Sequence, residues 1–224
     1  MARIKQRGTL DILYCDNDLI LRHMAEAIII SGLPMATEVN EVTLQENISE
    51  AYWLLDKIGL EGVKREKTVK ALGNAEQGSG HDSFLKGIIL NAVISAPSYW
   101  YPQMQRYHFI DIISSQSKMH RITKMNLREQ CTEEVDDVII DTLNKYIELF
   151  NKEANSIDKE TYFRKIVANC PMGLKLTCGI TTNYLQLKSM YNQRHNHKLD
   201  EWSVDFVRWA ESLPFFKELC LSGK

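Results

Sequence analysis

The sequence lacks most of the features that announce a staple, a membrane or a common cofactor. Cysteine is scarce, with 5 in 224 residues, at positions 15, 131, 170, 178 and 220. The number is odd and no CxxC pair occurs, which argues against a zinc knuckle and a disulfide framework and fits a reducing, cytoplasmic setting. Long apolar runs are missing; residues 27–30, for example, are flanked at once by polar ones, so no membrane span is expected. The opening MARIKQRGTL is charged and lacks the apolar stretch of a signal peptide. Only 5 Pro and 11 Gly occur, and no low-complexity linker separates two halves, so residues 1–224 read as one domain. No excess of either charge exists: Lys+Arg 27 against Asp+Glu 29 gives −2, so no global positive field recruits nucleic acid. GxxxxGKS/T, GxGxxG, HExxH and GxSxG are all absent, which sets aside most nucleotide triphosphatases, Rossmann enzymes, zincins and α/β-hydrolases.

What is present reads as an α+β fold with a small central, mostly antiparallel sheet flanked by helices. Residues 9–14 alternate and predict a strand; Asp16, Asn17 and Asp18 then cap a helix to about Ser31. Helices are expected over 45–58 and, on the surface, over 62–76. Residues 87–95 predict a buried strand stopped by Pro97, and 109–113 a strand or turn. A helix is predicted from Thr132, with acids in its first turn and Val135, Val138, Ile139, Tyr146 and Phe150 on its apolar face. Further helices are predicted over 159–169, 182–194 and 199–213. The last buries Leu199, Trp202, Phe206 and Trp209.

The densest polar group runs from Gln103 to Arg121. Arg106 offers a planar fork for a phosphate, the serines offer hydroxyls, and Gln103 can read a pyrimidine edge. Residues 114–121, SSQSKMHR, combine hydroxyls and cations without an acid. On composition alone a solvated loop after a strand is the better description. Arg194 shares one helical face with Asn183, Leu187 and Met190, so its head is either aimed into a cavity or snorkels along the surface. His195 and His197 would diverge by about 200° on a helix, so shared metal ligation is not expected. His23 reads as structural, and the aromatic group around Tyr99, Trp100, Tyr101 and Tyr107 as core or subunit interface.

At these residues the chain resembles the flavin-dependent thymidylate synthase family over about residues 78–220. Three blocks carry the resemblance. His81-Asp82-Ser83 is similar to the family's H-x-S/T. Gln103-x-x-Arg106-Tyr107-His108, followed by residues 114–120, is similar to Q-x-x-R-H-R … N-E-x-S-x-R-Y. Pro171, Asn183 and Arg194 are similar in order and spacing to L-P … N-x-R-S-L … R. The departures are uneven. The R-H-R triplet reads Arg106-Tyr107-His108, and N-E reads Ser114-Ser115. R-Y reads Met119-His120, with Lys118 the nearest cation. The Arg of N-x-R-S-L is Leu185, residues 200–202 only approximate the A-Q-x-E tail, and Lys86 stands where a glutamate is expected.

The resemblance implies the fold of thymidylate synthase-complementing proteins and a pocket for dUMP built from Gln103, Arg106, Ser115, Ser117, Lys118 and Arg194. Arg194 would be the catalytic residue, stabilising charge on the pyrimidine. It implies FAD held by His81, Ser83, His108, Asn183 and His197, with NADPH and methylenetetrahydrofolate as co-substrates. It also implies a homotetramer with sites between subunits, and no protein nucleophile. The departures fall mostly on the flavin side, so the alternative is a diverged, flavin-free or non-catalytic binder of a pyrimidine nucleotide. A nucleic-acid-binding module on residues 103–128 is a third reading, against which the charge balance argues.

Overall fold

The computed structural model describes residues 9–76 and 78–222. The elements begin with β1 (Asp11–Cys15), α1 (Asn17–Ile30), α2 (Glu41–Lys57) and α3 (Glu66–Gly73), then a 3-10 stretch His81–Gly87. Next come β2 (Ile89–Pro97), α4 (Tyr101–Met104), β3 (Asp111–Ser115), α5 (Lys118–Arg121) and α6 (Leu127–Gln130). The chain finishes with α7 (Asp137–Lys152), α8 (Ser156–Ala168), β4 (Lys175–Asn183), α9 (Tyr184–Arg194), a π-helical stretch Glu201–Phe206, α10 (Val207–Ser212) and α11 (Phe216–Cys220). Among the described residues, no helix is long and apolar enough to cross a membrane.

The four strands form one antiparallel sheet in the order β1-β2-β4-β3. The expected fold class is therefore the observed one. The central pair sets the register: Leu90, Ala92 and Ile94 face the same side as their partners Thr182, Ile180 and Cys178, and this side is buried. The main core packs α1, α9 and the C-terminal helices against it, with Ile20, Met24, Ile28, Leu187, Trp202 and Phe206 contributing. A second, smaller core joins α7 and α8 through Ile140, Leu143 and Ile166.

Several sequence expectations needed correction. Strand β4 was not foreseen. Its buried alternation is carried by Cys178, Ile180 and Thr182, of which only Ile180 is large and apolar, and Gly179 interrupts the run. The helix expected from 182 begins at Tyr184, because Asn183 is its cap: Asn183 Oδ1 accepts from the Gln186 N–H at 2.9 Å. The helix expected from Thr132 begins at Asp137. Residues 131 and 132 are tied to the chain before β4, Cys131 through a bridge to Leu174 and the Thr132 N–H through the Gly173 carbonyl, so they cannot wind. Helix α7 buries Ile140 and Leu143, whereas Val138, expected on the apolar face, is 69% exposed. Helix α3 is shorter than expected and is not merely superficial, since Val69 and Gly73 are buried.

Candidate functional site

Helix α9 positions the central side chain. Its cap at Asn183 and buried Leu187 and Met190 fix its rotation, so that Arg194, one turn beyond Met190, emerges at the corner where the turn after α4 meets the π-helical stretch. There Arg194 Nε donates to the Tyr107 hydroxyl oxygen at 2.7 Å, and Nη1 donates to Gln103 Oε1 at 3.3 Å. The guanidinium carbon lies 4.9 Å from the Trp202 ring centroid and 5.5 Å from that of Tyr107. Such a cage favours a desolvated guanidinium. Arg194 is half-buried and held, so the snorkelling alternative does not describe it.

Beneath this corner the aromatic group is core. Trp100 stacks on Trp202 with centroids 4.6 Å apart, and Tyr107 meets Trp202 edge-on at 6.4 Å. His197 lies edge-on to Trp202 at 6.5 Å and accepts the Leu199 N–H on Nδ1 at 3.1 Å. Burial, with the Arg194 charge beside it, holds the His197 imidazole below its usual pKa.

The other expected residues fall into two further places. Ser115 and Lys118 line a cleft of about 300 Å³ beside β3 and β4, together with Tyr101, Gln105 and Cys178. Ser117 caps the short α5, its Oγ accepting from the His120 N–H at 3.3 Å. Ser83 and Asn183 line a cavity of about 390 Å³ with Lys86, Phe109, Leu185 and Gln186. Arg106 is exposed and makes no hydrogen bond or ion pair with any described residue, and His81 and His108 are exposed. Thus Gln103 and Arg194 are joined directly, Ser83 and Asn183 share a cavity, and Ser115 shares a cleft with Lys118.

One wall of the 390 Å³ cavity rests on a buried ion pair that the sequence did not reveal. Lys188, 3% exposed, donates to Asp82 Oδ2 at 2.7 Å and to the Gly73 and Ala75 carbonyls, both at 2.8 Å. All three ammonium protons are spent. This pins Gly73, Ala75 and Asp82 to α9, with Gly78 and Gly80 at positive φ, 90° and 81°, where a side chain would be strained. Sequence reasoning also missed Tyr107 and Trp202 as partners of Arg194, because it read both only as packing residues.

No described group of His, Cys, Asp and Glu is arranged to hold a metal. The five cysteines are free, and burial pushes every thiol up, so none is poised as a thiolate nucleophile.

No protein-family model and no curated protein sequence matches the chain. Solved structures do. The crystal structure of the flavin-dependent thymidylate synthase ThyX from Helicobacter pylori complexed with FAD and dUMP superposes with a TM-score of 0.55 at 10% identity, covering 96% of this chain and 98% of that one. A second structure of the same protein with FAD and dUMP gives 0.53 at 11%, with the same coverage. The likeness spans nearly all of both chains and shows a shared fold: the chain has the fold seen in these flavin-dependent thymidylate synthase structures.

Proposed function

We propose that the chain binds dUMP, or a closely related pyrimidine nucleotide, at the Arg194 corner and carries out its reductive methylation at C5. Methylenetetrahydrofolate would supply the carbon and NADPH the reducing equivalents. One observation carries the reading. Gln103 and Arg194, both named by the resemblance as nucleotide-holding, lie 91 positions apart in the chain and are hydrogen-bonded to each other.

The chemistry of the corner suits such a guest. A guanidinium has five N–H donors; two are used by Tyr107 and Gln103, which leaves one on Nη1 and both on Nη2. The Nη1/Nη2 edge can meet a pyrimidine carbonyl and stabilise the negative charge that develops on its oxygen when C5 becomes nucleophilic. Gln103 is fixed by the same bond and would orient the nucleotide. Arg106, exposed on the turn beside Tyr107, would meet the phosphate, and Ser115, Ser117 and Lys118, which lie apart from this corner within one protomer, would join it only from a second subunit of the proposed homotetramer. With every thiol held up by burial, the work left to the protein is positioning and electrostatics.

The FAD that the reading implies would supply hydride. The residues of the 390 Å³ cavity fit part of such a group, at the lower end of ligand-site volumes. The amide nitrogens of Asn183 and Gln186 have no partner among the described residues, while their oxygens are spent on backbone N–H groups. They can donate to an acceptor-rich ring, Ser83 adds a hydroxyl, and the Lys86 ammonium suits a phosphate. His81, His108 and His197 belong to the same proposal. A cytoplasmic homotetramer belongs to it as well, and the uncovered sheet face bearing Tyr14, Ile89 and Ile113 supports self-association.

A second reading, a flavin-free pyrimidine-nucleotide binder, is favoured by Leu185, an aliphatic side chain on the cavity wall where the resemblance calls for arginine. Purification decides between them. A yellow protein that methylates dUMP is expected. A colourless protein that FAD titration cannot restore, yet that dUMP stabilises against heat, supports the second reading. Absence of dUMP binding refutes both. Arg194→Ala is expected to abolish turnover with the fold retained; normal turnover removes Arg194 from the site.

A further inference from the structure

We propose that Tyr107 is the positioning residue of this corner: its hydroxyl sets the plane of the Arg194 guanidinium, so that the Nη1/Nη2 edge is presented to the guest. The inference rests on the reading of the corner as a nucleotide site.

The hydroxyl has one proton and two lone pairs, and the structure assigns them. The Tyr107 hydroxyl donates to Gln193 Oε1 at 3.3 Å, and Gln193 Nε2 in turn donates to Ser189 Oγ at 3.1 Å. The proton is thereby directed away from Arg194, and a lone pair accepts Arg194 Nε–H at 2.7 Å. A guanidinium is planar, so fixing Nε together with Nη1, which Gln103 holds, fixes the whole plane. Trp202 covers one side, its ring centroid 4.9 Å from the guanidinium carbon. None of these three partners uses Nη2. The arrangement spends the inner donors on the protein and leaves the outer edge.

Tyr107 occupies the middle of the triplet that resembles R-H-R, and Gln193 precedes Arg194 on the last turn of α9. The two residues that flank the hydrogen bond are therefore carried by different elements, 87 positions apart, and the bond ties the turn after α4 to α9.

The test is Tyr107→Phe in the full-length protein, with three readouts. These are dUMP binding by calorimetry, the 15Nε–1Hε signal of Arg194 assigned by its loss in Arg194→Lys, and the unfolding temperature. Removing the acceptor but keeping the ring is expected to weaken dUMP binding about tenfold. The Arg194 Nε–H signal is expected to move and exchange faster with water, while the unfolding temperature stays within a few degrees. A merely structural role would lower the unfolding temperature and leave the Arg194 signal of the folded fraction in place. Unchanged dUMP affinity in Tyr107→Phe overturns the positioning role and leaves the nucleotide reading standing. Failure of the unsubstituted protein to bind dUMP overturns both. Should Tyr107→Phe not fold, Gln193→Leu, at an exposed position, removes the acceptor that holds the hydroxyl proton, so the hydroxyl rotates with water as its partner and its lone pair loses the fixed direction toward Arg194 Nε–H. It is expected to weaken dUMP binding several-fold with the same shift of the Nε–H signal, and no change in either overturns the proposal.

Discussion

Replacing Lys188 by methionine removes an ammonium from a place that water does not reach. Lys188 and Asp82 are 3% and 2% exposed. Methionine keeps the length and apolar stem, so little volume is lost and the effect isolates the charge. The change leaves the Asp82 carboxylate without its counter-ion and withdraws the Lys188 donor from the Gly73 and Ala75 carbonyls. Breaking one side of a buried pair costs about 3–5 kcal/mol. That is a fifth or more of the stability of an ordinary domain, which lies at roughly 5–15 kcal/mol. At roughly 2–4 °C per kcal/mol for a chain of this size, the melting temperature should fall by on the order of 10 °C. Urea unfolding followed by circular dichroism measures the loss directly. The companion Asp82→Leu removes the other charge. The double variant is expected to recover at least about 1 kcal/mol relative to Lys188→Met alone, because no bare charge remains buried. A loss below about 1 kcal/mol for Lys188→Met would show that the pair is solvated. The account of how Gly73, Ala75 and Asp82 are held against α9 would then be wrong.

Other perturbations follow from the same coordinates. Asn183→Ala removes the cap of α9 at the strand-to-helix switch and should lower stability by about 1 kcal/mol in urea titrations; no change means the cap is replaced by water. Gly73→Ala would place a Cβ 2.3 Å from the Leu219 carbonyl oxygen, forcing α11 off α3, and a loss of roughly 1–3 kcal/mol is expected despite alanine's better helix propensity; a more stable variant refutes the close approach. The His197 pKa is lowered from 6.5, so the unfolded chain binds the proton more readily than the folded one. The contribution of His197 is therefore fully present above pH 6.5 and lost as pH falls through and below it. His197→Asn should flatten the acid side of the stability–pH curve, and an unchanged slope counts against this burial.

Parts of the site were legible early because they depend on local rules. Arg194 was placed on one helical face with Leu187 and Met190 by spacing alone, and both of those residues are buried as that face requires. The residues that hold Arg194 were harder to read. Tyr107 and Trp202 looked like packing residues, and only their position against a guanidinium gives them another role. Lys188 carried no signal, since a lysine within an amphipathic helix ordinarily faces water, and its partner Asp82 lies 106 positions away. Strand β4 escaped because a central strand need not be strongly apolar when its neighbours β2 and β3 supply the pairing.

By itself the amino-acid sequence determined what short-range physics can determine. It set the cap at Asp16, the strands β1 and β2, the α+β class, and the residue types gathered between 103 and 121. Tertiary structure decided which of these meet. The order β1-β2-β4-β3, the delayed start of α7, the burial of Lys188 against Asp82 and the cage around Arg194 all join positions far apart in the chain. Such contacts form only when a whole core has closed, and no local pattern of side chains encodes the partner across it.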